Sequence, residues 1–116
     1  METLQVIKDS DARVIDGSIS ADGKILSGNG FTVTHEETGV YLVKFDKSFY
    51  FGPPSIERLE VENPYLKPYG YIAEVIGDVT TKQFKYFTYY LSDHDLVMKD
   101  IPISYFYVWG AKDPNE

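Results

Sequence analysis

The sequence predicts an all-β protein, a β-sandwich or a β-barrel. Three observations lead to this prediction. Aromatic residues, which favour strands, make up 16% of the 116 residues. Glycines and prolines recur at short intervals, so the runs between turn signals have the length of strands. Residues 31–36 and 55–62 alternate apolar and polar side chains, as strands with one buried face do.

The length predicts a single domain over residues 1–116, because two domains would each fall near the lower size limit for an independent core. Within it we expect an N-terminal segment at residues 1–11, the sandwich at 12–110 and a polar tail at 111–116. The composition, 43% hydrophobic and 25% charged, is typical of a folded chain rather than a disordered one.

Charge and composition exclude several functions. A net charge of −7 repels phosphate backbones and anionic lipids, so we expect neither nucleic-acid nor membrane partners. A sequence without cysteine has no disulfides, thiolate zinc sites or cysteine nucleophiles. No apolar run approaches the roughly 20 residues of a membrane-spanning helix. The first residues do not have the pattern of a secretory signal, and the localisation stays open between an extracellular particle and the cytoplasm.

The first half of the chain contains five predicted strands, at residues 12–20, 31–36, 40–46, 49–51 and 55–62. They are rich in β-branched and aromatic side chains. Residues 37–39 are typical of a tight hairpin turn, and residues 52–54 form a turn after the fourth strand. In the fifth strand, the alternation predicts one face with Ile56, Arg58, Glu60 and Glu62 and the opposite face with Glu57, Leu59 and Val61.

The second half contains three predicted strands, at residues 71–79, 82–91 and 101–109, after a loop at residues 63–70. The segment 82–91 competes with a helix, because several of its aromatic residues have helical spacing. We choose a strand, because aromatic side chains lose rotamer freedom in helices. Ser92 and Asp95 approximate a capping box and predict a short helical turn.

Both faces of the last predicted strand are apolar. Period two places Ile101, Ile103, Tyr105, Tyr107 and Trp109 on one face and Ser104, Phe106 and Val108 on the other. A two-layer sandwich needs only one such face, so the second face predicts a partner.

Candidate ligand-binding residues lie in two loops. Asp93 and Asp95 flank His94, and a carboxylate beside an imidazole can orient it towards a sugar hydroxyl or a metal. One histidine supplies too few nitrogen ligands for zinc, so we predict no metal and no cofactor. Tyr65 and Tyr69 lie in a proline-framed loop, where tyrosine rings can stack on sugars. The plain alternatives, an exposed loop and a structural crossover, stay open.

One pair of carboxylates has spacing compatible with catalysis. Glu60 and Glu62 would lie about 7 Å apart on one strand face, from two rises of ~3.3 Å. That separation is within the range of an inverting glycosidase. The alternative is that the two glutamates and Arg58 form a solvent-exposed charged face. We predict that the protein is not an enzyme.

The order of turns and aromatic residues resembles a known pattern over about four fifths of the chain. The segments 23–33, 39–45 and 49–54 resemble those of small β-sandwich modules in bacterial and phage fibre proteins. The later part is similar to the H-type lectin sandwich, a jelly-roll-like fold, through Phe49, Pro54, Phe84 and residues 105–110.

The resemblance implies an antiparallel β-sandwich of six to eight strands and a homotrimer. The lectins of this group bind N-acetylgalactosamine-type sugars near subunit boundaries, through an arginine, an aspartate, a histidine and an aromatic residue. Arg58 and the loop at residues 93–95 offer such residues here. In the resembled modules the positions of Phe106 and Val108 fill the sandwich.

That placement implies an interface on the opposite face of the last strand, at Tyr105, Tyr107 and Trp109. The alternative is that the tyrosine side chains extend to the rim of the sandwich and form no interface with another subunit. The main functional hypothesis is a non-enzymatic adhesion module that binds a glycan or a cell-surface receptor as a homotrimer. The alternatives are a structural or protein-interaction domain of a phage or secretion particle, and a small glycoside hydrolase.

Overall fold

The structure is a computed structural model that describes residues 11–62 and 70–115. Its described residues form nine strands and no α-helix, so no helix among them is long and apolar enough to cross a membrane. The strands are β1 (Ala12–Ser20), β2 (Ile25–Ser27), β3 (Phe31–Glu37), β4 (Val40–Phe45), β5 (Tyr50–Val61), β6 (Gly70–Ile76), β7 (Gln83–Leu91), β8 (Leu96–Met98) and β9 (Ile103–Ala111).

The strands form two antiparallel sheets that pack as a sandwich, which confirms the predicted fold class. Sheet A has the order β2-β1-β9-β5, and sheet B has the order β3-β4-β7-β6. The short strand β8 also belongs to sheet B, because it pairs with β7 beyond the end of β4. The strand count differs from the prediction in two ways. Strands β2 and β8 have three residues each, too few to show an alternation in the sequence. The strands predicted at residues 49–51 and 55–62 correspond to the single strand β5, so the turn predicted at residues 52–54 is wrong.

The segment 82–91, for which the sequence also allowed a helix, contains strand β7. Its residues 85–91 pair with β6 and its residues 83–87 pair with β4, so the strand prediction is confirmed. The helical turn predicted at Ser92 and Asp95 is wrong. The backbone N–H of Asp95 does donate to Ser92 Oγ, at 3.2 Å, but the Ser92 N–H donates back to the Asp95 carbonyl at 2.9 Å. This reciprocal pair closes a hairpin loop, and β8 follows directly.

The core lies between the sheets and consists mainly of aromatic rings and β-branched side chains. Its buried members are Ile15, Ile19, Phe31, Tyr41, Val43, Phe45, Phe49, Phe84, Tyr86, Phe106 and Val108. The Phe106 ring of sheet A packs edge-on against Phe31 and Phe84 of sheet B, at centroid distances of 4.9 Å and 5.6 Å. Such pairs contribute about 0.5–1.5 kcal/mol each beyond the area they bury.

The predicted faces of β5 are wrong in one respect. Ile56 is opposite Val108 and Arg58 is opposite Tyr107, so a bulge leaves Glu57 as an extra residue between them. A one-residue insertion moves the following side chains to the other face. Ile56 and Leu59 therefore both pack against the core, whereas strict alternation had put Ile56 with Arg58.

Ile101 also departs from its predicted face. It is 1% exposed and precedes β9, whose first residue is Ile103. The alternation of the last strand therefore does not extend back to Ile101, which packs inside the protein.

Candidate functional site

The outer face of sheet A carries the aromatic side chains of β9. Tyr105 is 40% exposed, and Tyr107 and Trp109 are half-buried, whereas Phe106 and Val108 between them are buried in the core. The direction predicted for these three aromatic side chains agrees with the structure. Their role as an interface between subunits stays a prediction.

The neighbouring strands place charged side chains on both sides of Tyr107. The register pairs Asp16 of β1 with Tyr107 on one side and Arg58 of β5 with Tyr107 on the other. Directly opposed side chains on one sheet face have their Cβ atoms about 4.5–5.5 Å apart. A ligand that contacts the Tyr107 ring therefore also meets a carboxylate and a guanidinium.

The surface around Tyr107 is concave. A groove of about 530 Å³ is lined by Asp16, Glu57, Arg58 and Tyr107. A second cavity of about 170 Å³ shares Asp16, Arg58 and Tyr107 with it and extends to Tyr105. We call the two together the Tyr107 groove. The bulge in β5 contributes to this shape, because it places both Glu57 and Arg58 opposite Tyr107.

The charges in the Tyr107 groove differ in how they are paired. Arg58 Nε lies 3.7 Å from Glu60 Oε1, and both side chains are 65% exposed. Such an exposed ion pair contributes at most about 1 kcal/mol. Asp16 and Glu57 are exposed and make no hydrogen bond or ion pair with any residue that the structure describes. Their carboxylates are available to a ligand.

The loop predicted to bind a ligand lies elsewhere, in the β7–β8 hairpin of sheet B. His94 Nε2 lies 3.5 Å from Asp93 Oδ2, and their side chains are 87% and 68% exposed. Asp95 closes the hairpin turn. Within the described ranges no group of three or more metal-ligating side chains lies together. Tyr65 and Tyr69 lie outside the described residues, so both binding predictions stay untested.

The two glutamates of the spacing argument lie at the end of β5, and their role as a catalytic pair stays a hypothesis. Glu60 faces outward near Arg58, but β5 ends at Val61, and Glu62 lies beyond it. The Glu62 backbone N–H donates to the Ile103 carbonyl at 3.1 Å. The structure therefore supports the alternative for Glu60, a solvated charged face.

Sequence reasoning missed a second polar cluster, around Asp100. Asp100 Oδ1 accepts hydrogen bonds from the Gly39 backbone N–H at 2.6 Å and from Tyr41 Oη at 3.3 Å. His35 Nε2 lies 2.8 Å from the same oxygen. We call this cluster the Asp100 clamp. No local signal identifies it, because Asp100 is far along the chain from its three partners.

The Asp100 clamp has the chemistry of a structural tie. Burial, followed by the negative charge of Asp100, raises the pKa of Tyr41, so its hydroxyl stays protonated. That hydroxyl also donates to the Ala21 carbonyl at 2.7 Å, and the ring stacks on His35 at 4.8 Å. Because Gly39 and Tyr41 both donate to Asp100, the cluster joins the β3–β4 hairpin to the segment before β9.

The Tyr107 groove is therefore the candidate site, because it combines exposed rings, unpaired carboxylates and a concave shape. The Asp100 clamp holds the fold, and the Asp93–Asp95 loop is an exposed turn. In comparisons with known proteins, no family model matches this sequence, and no curated protein or solved structure matches it.

Proposed function

We propose that this protein is a non-enzymatic binding module that recognises a glycan in the Tyr107 groove. The observation that carries the proposal is the row formed by Asp16, Tyr107 and Arg58 across three strands. A sugar presents an apolar C–H face and a rim of hydroxyls. An aromatic ring stacks on that face, while carboxylate oxygens accept from the hydroxyls and a guanidinium donates to them.

The charges favour a polar ligand over a dry contact between subunits. The cores of protein interfaces are depleted of charged residues. Tyr107 has Asp16 on one side and both Glu57 and Arg58 on the other. Burying these groups between subunits would cost free energy unless each found a partner. Hydroxyl groups of a sugar supply such partners at a wet surface.

The test is a glycan array probed with the full chain, a Tyr107→Ala variant and a Tyr50→Ala control. Tyr50 is an exposed tyrosine of β5 that lines neither cavity of the Tyr107 groove. We expect the full chain and the control to bind the same glycans, and Tyr107→Ala to bind them at least tenfold more weakly, about 1.4 kcal/mol. Circular dichroism checks that the variants fold, and Asp16→Asn is a second, milder test of the groove.

Equal loss of binding in both tyrosine variants would place the site elsewhere. An array without any bound glycan would overturn the proposal.

Assembly as a homotrimer in a fibre-like particle is the second candidate, and it competes for the same face. It is favoured by two exposed apolar side chains, Tyr105 (40%) in the groove and Val14 (46%) in β1. Light scattering separates the two functions. A stable trimer that Tyr105→Ala dissociates, together with a blank array, supports assembly as the function of this face. A monomer at micromolar concentration contradicts it.

A further inference from the structure

The charges of the Tyr107 groove bear on the class of glycan that it takes. We infer that the ligand carries free amino groups, as an oligomer of glucosamine does, rather than carboxylates or sulfates. The inference rests on the proposed function, because it concerns the same groove.

The first step is the charge balance. Two carboxylates, Asp16 and Glu57, line the groove beside Tyr107, against the single guanidinium of Arg58. A third carboxylate, Glu60, belongs to the next outward position of β5, opposite Tyr105. Arg58 lies near Glu60, so its charge is already partly compensated. The two carboxylates left, Asp16 and Glu57, have no partner within the described residues. The potential in the groove is therefore negative, as is the net charge of the chain, −7.

The second step is geometry. Asp16 belongs to β1 and Glu57 to β5, and β9 with Tyr107 lies between them. A sugar stacked on the Tyr107 ring consequently has a carboxylate beyond each edge of the ring. An ammonium group on that sugar meets an opposite charge whichever way the sugar is oriented. The face of the tyrosine ring attracts a cation as well.

The third step excludes acidic glycans. A uronate or sulfate would gain a contact with Arg58, but it would approach Asp16 and Glu57 at the same time. Placing it on Arg58 also means separating Arg58 from Glu60. Like charges at this range repel, and the guanidinium alone does not offset two carboxylates. A neutral sugar stacks on the ring and binds its hydroxyl partners without this repulsion and without separating Arg58 from Glu60.

The experiment uses calorimetric titration of the full chain with three hexasaccharides: glucosamine, N-acetylglucosamine and galacturonic acid. We expect glucosamine to bind at least tenfold more tightly than N-acetylglucosamine, and galacturonic acid to bind most weakly. Because the carboxylates are exposed, high salt screens the attraction. The advantage of glucosamine should therefore fall several-fold in high salt, while the affinity for N-acetylglucosamine stays nearly constant.

Two variants with the same change in net charge locate the effect. Asp16→Asn should weaken the binding of glucosamine much more than that of N-acetylglucosamine, because the amide still accepts from a hydroxyl but carries no charge. Asp78→Asn is the matched control, because Asp78 is an exposed aspartate between β6 and β7 in the other sheet. The Asp78→Asn variant should show the same preference for glucosamine over N-acetylglucosamine as the unmodified chain.

The outcomes separate the inference from the proposed function. Equal affinity for glucosamine and N-acetylglucosamine, or a preference for galacturonic acid, overturns the inference and leaves glycan binding in place. Equal effects of Asp16→Asn and Asp78→Asn also overturn it, since the preference would then come from the overall charge. Failure of every glycan on the array to bind removes the proposed function itself.

Discussion

His35 Nε2 lies 2.8 Å from Asp100 Oδ1, although the two residues are 65 positions apart in the sequence. The same oxygen accepts the Gly39 backbone N–H, in the turn between β3 and β4. This contact joins the tip of a sheet B hairpin to the segment that leads into β9 of sheet A. It therefore fixes the position at which β9 begins. Because Tyr107 lies on β9, the contact also helps to fix the position of the Tyr107 groove.

Replacing Asp100 with asparagine should lower the free energy of unfolding by about 1.5–3 kcal/mol, the value of hydrogen bonds to a charged group. The substitution keeps the size of the side chain but removes the charge that His35, Gly39 and Tyr41 face. Urea unfolding measures the change. Asp78→Asn, with the same loss of charge on an exposed side chain, should have almost no effect. Equal stability of the two variants would contradict the role of the Asp100 clamp.

Gly39→Ala should destabilise the protein more than Gly77→Ala. Both glycines have a left-handed backbone, with φ of 72° and 68°, so each substitution has a similar conformational cost. A Cβ at Gly39 would lie 2.6 Å from the Thr88 carbonyl oxygen, whereas nothing lies within 4 Å of one at Gly77. We expect a loss of about 1 kcal/mol at Gly77 and a clearly larger one at Gly39. Thermal unfolding of both variants tests this, and similar losses would argue against the close approach.

Tyr86→Phe should reduce stability by about 1–3 kcal/mol, because it leaves the buried Ser104 hydroxyl without its partner. Tyr86 Oη and Ser104 Oγ lie 2.6 Å apart and join the two sheets through the core. The double variant Tyr86→Phe with Ser104→Ala should lose less than the sum of the two single variants. Additive losses in urea unfolding would show that the hydroxyls contribute independently.

The stability of the protein should decline above pH 10. Burial, and then the hydrogen bond to Glu74, raises the pKa of Tyr89 from 10.0 to about 12. Burial also raises the pKa values of Tyr41 and Tyr86. The folded chain therefore holds these protons where the unfolded chain releases them, so stability is complete below the unfolded pKa and is lost as the pH rises.

Urea titrations at increasing alkaline pH measure that decline, and tyrosinate absorbance reports ionisation. Tyr89→Phe removes one of the three groups and should make the decline less steep. Ionisation of all ten tyrosines near pH 10 in a chain that stays folded would contradict the prediction.

His94→Ala should leave the free energy of unfolding within about 0.5 kcal/mol of the unmodified value, as substitutions at exposed positions do. The His94 side chain is 87% exposed, and its contact with Asp93 is long, at 3.5 Å. The same variant should bind glycans as the unmodified chain does, because the loop lies in sheet B. Loss of glycan binding in this variant alone would instead support the loop as the ligand site.

Much of the fold was predictable because its signals are local. The strand predicted at residues 12–20 coincides with β1, and aromatic crowding correctly decided that residues 83–91 form a strand. The alternation of Phe106 and Val108 with Tyr105 and Tyr107 predicted which side chains of β9 face the core. Each of these predictions depends on side-chain preference and on a period of two, and both act between neighbours in the chain.

The candidate site was less predictable. Tyr107 was identified as outward-facing, but the partners that make it a groove were not. The bulge at Glu57 is a property of how β5 pairs with β9, and the alternation within β5 predicted the opposite face for Ile56. The position of Asp16 beside Tyr107 was not predicted, since nothing in the neighbouring sequence indicates that contact.

The sequence by itself determined the longer strands, the turn between β3 and β4 and the inward face of β9, because a strand expresses its preference within a few residues. The tertiary structure alone decided that Asp16, Tyr107 and Arg58 form one row, and that His35 meets Asp100. Those contacts depend on register between strands that are distant in the sequence. Register is set by the packing of the whole sandwich, where an extra residue such as Glu57 shifts every later pair.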